Sequence, residues 1–235
     1  MGEVMTKKTY IAQPILGWWR AVEIVGWIYT AIAAVLAVLF TIEWSLLKAI
    51  GDGGLVLQDT PLLSGFEIAM RSFGVLGLVS YWLGVVLTLI WYYRANSNAH
   101  ALGLRLENTP KWAVAWFFIP FAMLFKPYGV TSELWRSSVH PDSWRGKPDP
   151  TRMRWWWATV LIGKIGASLS DKLYLSGSTA TAGFGALSLA LSSGLIVVAG
   201  VLFLSMGREI SKRQQALIDQ DYKRADTLGQ AVWNT

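Results

Sequence analysis

Few residues of this chain combine a type and a spacing that suggest chemistry. The two histidines, His100 and His140, share one polar segment, and Glu133 and Asp142 lie close to the second of them in the sequence. Two imidazoles and a carboxylate are a possible metal site or acid–base pair. The separation of the histidines matches no metal-binding motif, and His140-Pro-Asp142 is typical of a solvated turn. We therefore expect no metal, no cofactor and no catalytic residue.

Other classes of chemistry are excluded by composition and motif. The chain has no cysteine, which excludes disulfides, thiolate catalysis and cysteine-based zinc sites. It contains no phosphate-binding loop, nucleophile elbow, zinc-protease helix or kinase signature. The net charge of +6 would suit nucleic acid, but the basic residues concentrate in one segment without the architecture of a nucleic-acid reader. We expect no nucleic-acid partner.

Composition assigns the chain to the membrane. Hydrophobic residues make up 53% of it and charged residues only 15%, against roughly 25% charged in soluble proteins. Many of its 14 tryptophans lie where an apolar run meets a charged one. That is the position of indole rings at a bilayer interface.

Four apolar runs have about the length of 20 residues that a membrane-spanning helix needs. The predicted spans are residues 22–42, 72–93, 155–175 and 184–206. The third is the weakest, because Lys164 interrupts it and two more charges lie near its end. The sequence thus predicts an all-α integral membrane protein, a four-transmembrane-helix bundle forming one domain over residues 1–215, with a tail over 216–235. The tail is expected to continue the last span as a helix and to fray near Gly229.

The distribution of charge predicts the topology. Residues 94–154 contain nine basic and four acidic side chains, whereas residues 43–71 contain two basic and four acidic ones. Because cytoplasmic loops are rich in Lys and Arg, both termini and residues 94–154 are expected inside. The apolar run Trp112–Phe125 is too short to cross and contains Pro120. We expect a cytoplasmic re-entrant or interfacial helical hairpin over residues 110–138.

The region after the second span carries several motifs together. They are Arg94-Ala-Asn-Ser-Asn98-Ala-His-Ala-Leu-Gly103, Thr109-Pro-Lys-Trp112-Ala-Val-Ala-Trp116, Phe125-Lys-Pro-Tyr128, Glu133-Leu-Trp-Arg136, Trp155-Trp-Trp157 and Arg208-Glu-Ile-Ser-Lys-Arg-Gln214. This combination, from about residue 82 to 215, resembles the bacterial membrane family called domain of unknown function 4328. The resemblance implies a multi-spanning protein of the bacterial cytoplasmic membrane and implies no activity.

The cytoplasmic segment supplies most of the candidate functional residues. A cation where the second span ends favours lipid phosphates, and the asparagines that follow are expected to satisfy backbone groups as the helix ends near Gly103. Pro110 suits the first turn of a short helix. The segment is interpreted as a packed lid over the bundle, as a docking surface for lipid headgroups or a partner, or as a substrate gate. The candidates are Arg94, Asn98, Trp112, Trp116, Lys126, Glu133 and Trp135.

Two charges complete the set of candidates. Lys164 lies nine residues after Trp155, roughly 14 Å along a helix, and an intramembrane charge is a functional hypothesis that requires a partner. We name Glu23 as that partner. Alternatively, the Lys164 side chain extends toward the membrane surface, so that its ammonium group lies at the interface.

The leading hypothesis is a non-enzymatic accessory or scaffold subunit, or a lipid-interacting regulator, with membrane lipids and a protein partner or a second copy as its partners. The first alternative is a small-solute or ion transporter that uses Glu23 and Lys164. The second is a lipid-modifying enzyme of the cytoplasmic face that uses His100, Glu133 or His140.

Overall fold

The computed structural model describes residues 10–53 and 61–233, and the side chains up to residue 227. Three charged residues that enter the predicted topology lie outside the described residues, namely Lys7 and Lys8 of the N-terminus and Asp59 of residues 43–71. The described chain is helical, with no strand in these two ranges. The helices are α1 (Leu16–Gly51), α2 (Pro61–Ala101), α3 (Pro110–Ala115), α4 (Lys126–Val139), α5 (Thr151–Leu175) and α6 (Thr179–Trp233), with a 3-10 turn at Ala122–Leu124.

The chain divides into two compact units. Among the described residues, unit 1 comprises residues 10–23, 86–153 and 205–233, and unit 2 comprises residues 24–53, 61–85 and 154–204. Unit 1 therefore contains α3 and α4 entirely, whereas unit 2 contains most of α5 and the larger part of α1.

Within the described residues, three helices are long and apolar enough to cross a membrane, namely α1, α2 and α6. This agrees with the first, second and fourth predicted spans. The 25 residues of α5 would give a length of roughly 37 Å, so length alone would suffice. Its apolar character is reduced by Lys164, Asp171 and Lys172, which is why it is not among the three.

Small residues bring the helices of unit 2 together. A Cβ atom placed on Gly77 of α2 would lie 3.4 Å from the Ile32 side chain of α1, and one on Gly185 of α6 would lie 3.0 Å from the Tyr174 ring of α5. Close approach through small residues drives helix packing where lipid supplies no hydrophobic force. Two other glycines of these helices, Gly74 of α2 and Gly194 of α6, adjoin open space instead.

Unit 1 has a buried core of its own. The Trp91 side chain is fully buried, and its indole N–H donates to the Ser211 hydroxyl over 2.9 Å. The Gln214 amide donates to the carbonyl of Ala95 over 3.0 Å. Ile218 is also fully buried, so α6 contributes to this core beyond residue 215. The helix continues to Trp233, which confirms the predicted extension of the last span and shows no end at Gly229.

Candidate functional site

The N-terminal segment before α1 is attached to unit 1 by side chains that bond its backbone. Asn98, on α2, accepts a hydrogen bond from the Gln13 N–H at 2.9 Å and donates to the Gln13 carbonyl at 2.8 Å. The Tyr222 hydroxyl donates to the Ala12 carbonyl, and Gln215 accepts from the Ile15 N–H. Asn98 is buried within the helix. The expectation that it satisfies the end of α2 was therefore wrong, because a side chain one full turn earlier is better placed to bond a neighbouring segment.

The end of α2 itself follows the sequence prediction. The helix ends at Ala101, and Gly103 adopts a positive φ of 76° while its N–H bonds the carbonyl of His100. Glycine takes this left-handed conformation without the steric cost that a Cβ atom brings.

Arg94 lies on α2 between the N-terminal segment and α1. Its guanidinium donates to the Gln13 side-chain oxygen over 2.9 Å and stacks 4.8 Å above the centre of the Trp18 ring. Both contacts hold the side chain in one orientation and leave further N–H donors of the guanidinium available.

A cleft of about 780 Å³ opens beside Arg94. Its walls are formed by the N-terminal segment, by α2 and by α3. Lys111, which is exposed, contributes a second cation. The aliphatic part of the lining comes from Ile11 of the N-terminal segment, from Leu89 and Ile90 of α2 and from Val114 of α3. The cleft therefore combines two positive charges with an aliphatic wall.

The segment between α3 and α4 exposes large apolar side chains. The helix α3 begins at Pro110, as predicted, and ends after six residues. The chain then turns, with Phe121 at a φ of 62°, and α4 begins at Lys126 with a proline in its first turn. We call the exposed large apolar side chains of α3 and of the segment that leads to α4 the aromatic ledge; they are Trp112 of α3 and Phe118, Phe121, Leu124 and Phe125 after it.

Trp116 links the ledge to the body of unit 1. Its ring packs 4.8 Å from that of Trp112, and the Lys126 ammonium lies 4.8 Å from its centre. Its indole N–H donates to the side-chain oxygen of Asn108 over 2.9 Å. Three of the predicted candidates are thus brought together at this point.

Glu133 is the buried anchor of this arrangement. Its carboxylate accepts from the Asn108 side-chain amide over 2.7 Å and from the backbone N–H of Glu107. The side chain is 3% exposed, so it lies away from any substrate that approaches from solvent. These contacts assign Glu133 a structural task, the positioning of the loop that precedes α3.

The two histidines have separate surroundings. The His100 ring bonds the Asn108 carbonyl at 3.0 Å and packs against Tyr10. The His140 ring packs edge-on against Trp135. Within the described residues, no three histidine or carboxylate side chains form a cluster suited to a metal ion.

Glu209 on α6 joins two candidate regions of unit 1. It accepts a hydrogen bond from the Trp135 indole over 2.9 Å and pairs with Arg152. A second carboxylate, Asp149, accepts from the Tyr128 and Ser132 hydroxyls at 2.8 and 2.5 Å. Neither acid was a sequence candidate, because each stands close to other charged residues, where a carboxylate is not unusual.

Glu23 pairs with Arg208. The prediction that Lys164 is its partner was therefore wrong. Arg208 is the first charge after the apolar run of α6, and its Nε and Nη2 groups both donate to one oxygen of the Glu23 carboxylate. Lys164 is exposed on α5, and the described residues provide it with no ion pair.

The family model described as Domain of unknown function (DUF4328) matches residues 55–212. The chain belongs to this family. The match covers well over half of the chain and confirms the resemblance found over residues 82–215. No curated protein and no solved structure matches the chain.

The matched region contains the aromatic ledge, Glu133 and the two cations of the cleft. The N-terminal wall of the cleft, with Gln13, precedes it. The family description assigns no activity, so the function has to be inferred from the geometry of unit 1.

Proposed function

We propose that this protein is a non-enzymatic component of the bacterial cytoplasmic membrane that interacts with lipids through unit 1. In this proposal α5 is a fourth span, both termini are cytoplasmic, and unit 1 lies at the cytoplasmic surface. The aromatic ledge then enters the interfacial half of the inner leaflet, and the protein acts as a lipid-interacting regulator.

The aromatic ledge is the observation that carries the proposal. Unit 1 buries tryptophan, leucine and isoleucine side chains in its own core, yet Phe121 is 80% exposed and its neighbour Phe118 is 67% exposed. Contiguous exposed apolar side chains mark a membrane or protein interaction site. Lys111 and Lys126 border the ledge, and cations beside an apolar surface favour an anionic lipid leaflet.

An interfacial position fits the ledge better than a re-entrant one. The six residues of α3 span only about 9 Å, a small part of the roughly 30 Å hydrocarbon core. The anchoring of the preceding loop on Glu133 also keeps this segment at the surface of unit 1.

The chain offers a direct test, because it has no cysteine. A spin label on Phe121→Cys in the full-length protein, reconstituted in lipid nanodiscs, should be accessible to oxygen dissolved in the lipid and protected from a water-soluble nickel chelate. A label on Asp142→Cys, an exposed position of the same unit, is the matched control and should show the reverse. Equal accessibility at the two positions would refute the interfacial ledge.

A second candidate function is an accessory subunit that binds a partner within the membrane, and the surface of α5 favours it. Lys164 is exposed among the exposed apolar side chains of Ile162, Ile165 and Leu169. A lysine at the centre of a spanning helix costs about 2.5–3.5 kcal/mol, which a carboxylate on a partner helix would offset.

The test of this second function is a comparison of two lysines of α5. Lys164→Leu should release a stoichiometric membrane partner during mild extraction, whereas Lys172→Leu, near the end of the helix, should retain it. Recovery of the same partner from both variants, or of none from the unaltered protein, would exclude the role.

A further inference from the structure

We propose that the cleft of unit 1 binds a single phosphate-bearing amphiphile. Its anionic headgroup would lie between Arg94 and Lys111, and its apolar part would lie along Leu89 and Ile90. The inference deepens the proposed function and rests on it in one respect, namely that a lipid reaches the cleft only if unit 1 lies against the membrane.

The register of α2 places apolar and cationic groups in the order that an amphiphile requires. Leu89, Ile90, Tyr93 and Arg94 are related by intervals of three and four residues and line the same cleft, as neighbours on one helical face do. From Leu89 to Arg94 the helix rises about 7.5 Å. Arg94 also ends the uncharged run of the second predicted span, so the cation lies at headgroup level when the apolar residues lie in the hydrocarbon.

The charge of the lining selects an anion. Arg94 and Lys111 are its ionisable cations, and no carboxylate of the described residues lines the cleft. The Lys111 side chain is exposed and forms no ion pair within the described part of the chain. Guanidinium and ammonium groups together provide several charge-assisted donors to the oxygen atoms of one phosphate.

The cleft is preformed on the side of the N-terminal segment. Asn98 holds the Gln13 backbone through two hydrogen bonds, and the Gln13 side chain in turn accepts from Arg94. The guanidinium therefore does not have to be ordered when a ligand binds. Preorganisation of this kind raises affinity by lowering the entropy lost on binding.

Native mass spectrometry of the full-length protein provides the test. The protein is released from mild detergent containing equal amounts of phosphatidylglycerol and phosphatidylcholine, and bound lipid is counted. We expect one retained phosphatidylglycerol. Because each cation near a lipid surface contributes about 1 kcal/mol, the double variant Arg94→Gln/Lys111→Gln should weaken its retention roughly thirtyfold.

Two further variants separate binding from folding and from general charge. Lys111→Gln alone leaves the contacts of Arg94 intact and should weaken retention roughly fivefold. Lys212→Gln/Arg213→Gln removes the same two charges from exposed positions of α6 in the same unit and should retain the lipid. Loss of lipid from this control to the same degree, or full retention by the cleft variants, would overturn the proposal.

Two more outcomes distinguish the source of the ligand and the fate of the proposed function. Displacement of the lipid by millimolar inorganic phosphate would overturn the amphiphile and indicate a site for soluble phosphate. If phosphatidylglycerol is retained at the cleft while the label at Phe121 contacts water, the interfacial position of the aromatic ledge is refuted and lipid binding by the cleft is supported. If the label lies in lipid and the cleft variants retain phosphatidylglycerol fully, lipid binding by the cleft is refuted and the proposed function is supported.

Discussion

Two asparagines on α2, only two residues apart, are expected to respond in opposite ways to the same substitution. Asn98 is buried and forms two hydrogen bonds with the Gln13 backbone. Asn96 is fully buried, and neither its amide nitrogen nor its side-chain oxygen has a hydrogen-bond partner among the described residues. Replacement of each by leucine, which has the same branching at Cγ but a larger volume, compares a bonded buried amide with an unbonded one.

The magnitudes follow from these contacts. A hydrogen bond contributes about 0.5–1.5 kcal/mol net, so loss of two by Asn98→Leu should lower the free energy of unfolding by about 1–3 kcal/mol. A buried amide without partners destabilises the folded state by about 1–3 kcal/mol. Leucine removes this cost, but imperfect packing of the leucine side chain offsets part of the gain. Asn96→Leu should therefore be neutral or stabilise by about 1 kcal/mol.

Thermal unfolding of the detergent-solubilised protein, followed by tryptophan fluorescence, measures the difference. For a chain of 150–250 residues, 1 kcal/mol shifts Tm by about 2–4 °C. The expected difference of about 1–4 kcal/mol between the two variants should then separate their Tm values by about 2–16 °C, with Asn98→Leu the less stable. Hydrogen exchange at the Gln13 amide should also accelerate only in Asn98→Leu, because only that substitution removes its acceptor.

An equal loss of stability in both variants would refute this reasoning. It would mean that the Asn96 amide is hydrogen-bonded, for example to an ordered buried water molecule. Its burial would then not destabilise unit 1. Unchanged exchange at Gln13 in Asn98→Leu would contradict the role of Asn98 in holding the N-terminal segment.

Three further predictions address other parts of unit 1. Gly129→Ala should stabilise the protein by up to about 1 kcal/mol, because the added Cβ atom meets open space in a helix. Gly207→Ala should destabilise it by about 1–3 kcal/mol, because the added Cβ atom would overlap a buried tryptophan ring. Thermal unfolding measures the sign of both changes. Glu209→Gln should cost about 1 kcal/mol through loss of a half-buried ion pair, while Glu67→Gln, in an exposed pair, should leave Tm unchanged; equal shifts would contradict the difference in burial. Glu133→Gln should cost about 2 kcal/mol and accelerate limited proteolysis between residues 102 and 110, and an unchanged cleavage rate there would remove Glu133 from its anchoring role.

Much of the fold could be predicted from the order of residues alone. Uncharged runs as long as a bilayer is thick must form helices, because hydrocarbon cannot satisfy an open backbone. The described part of the chain contains three helices of this kind. Pro110, Pro127 and Gly103 mark helix ends through conformational limits of their own backbones. These features depend on neighbouring residues, so the sequence suffices to locate them.

Pairings between distant residues could not be predicted in this way. The partner of Glu23 is Arg208, and the partner of Asn98 is the Gln13 backbone. Each pairing requires knowledge of which helix faces lie together, and charge sign or side-chain type alone leaves several partners equally suitable. Lys164 interrupts an apolar run and Glu23 borders one, but these positions carry no information about the distance between the two side chains.

The sequence by itself determined that this is a helical membrane protein with an aromatic, basic segment after its second apolar run. Those properties arise from local hydropathy, charge and backbone restriction, which act over a few turns of helix. Only the tertiary structure decided that the segment folds with the N-terminus and the end of α6 into a unit with its own core. It also decided that Arg94 and Lys111 share one cleft, because the three walls of that cleft come from parts of the chain up to about a hundred residues apart.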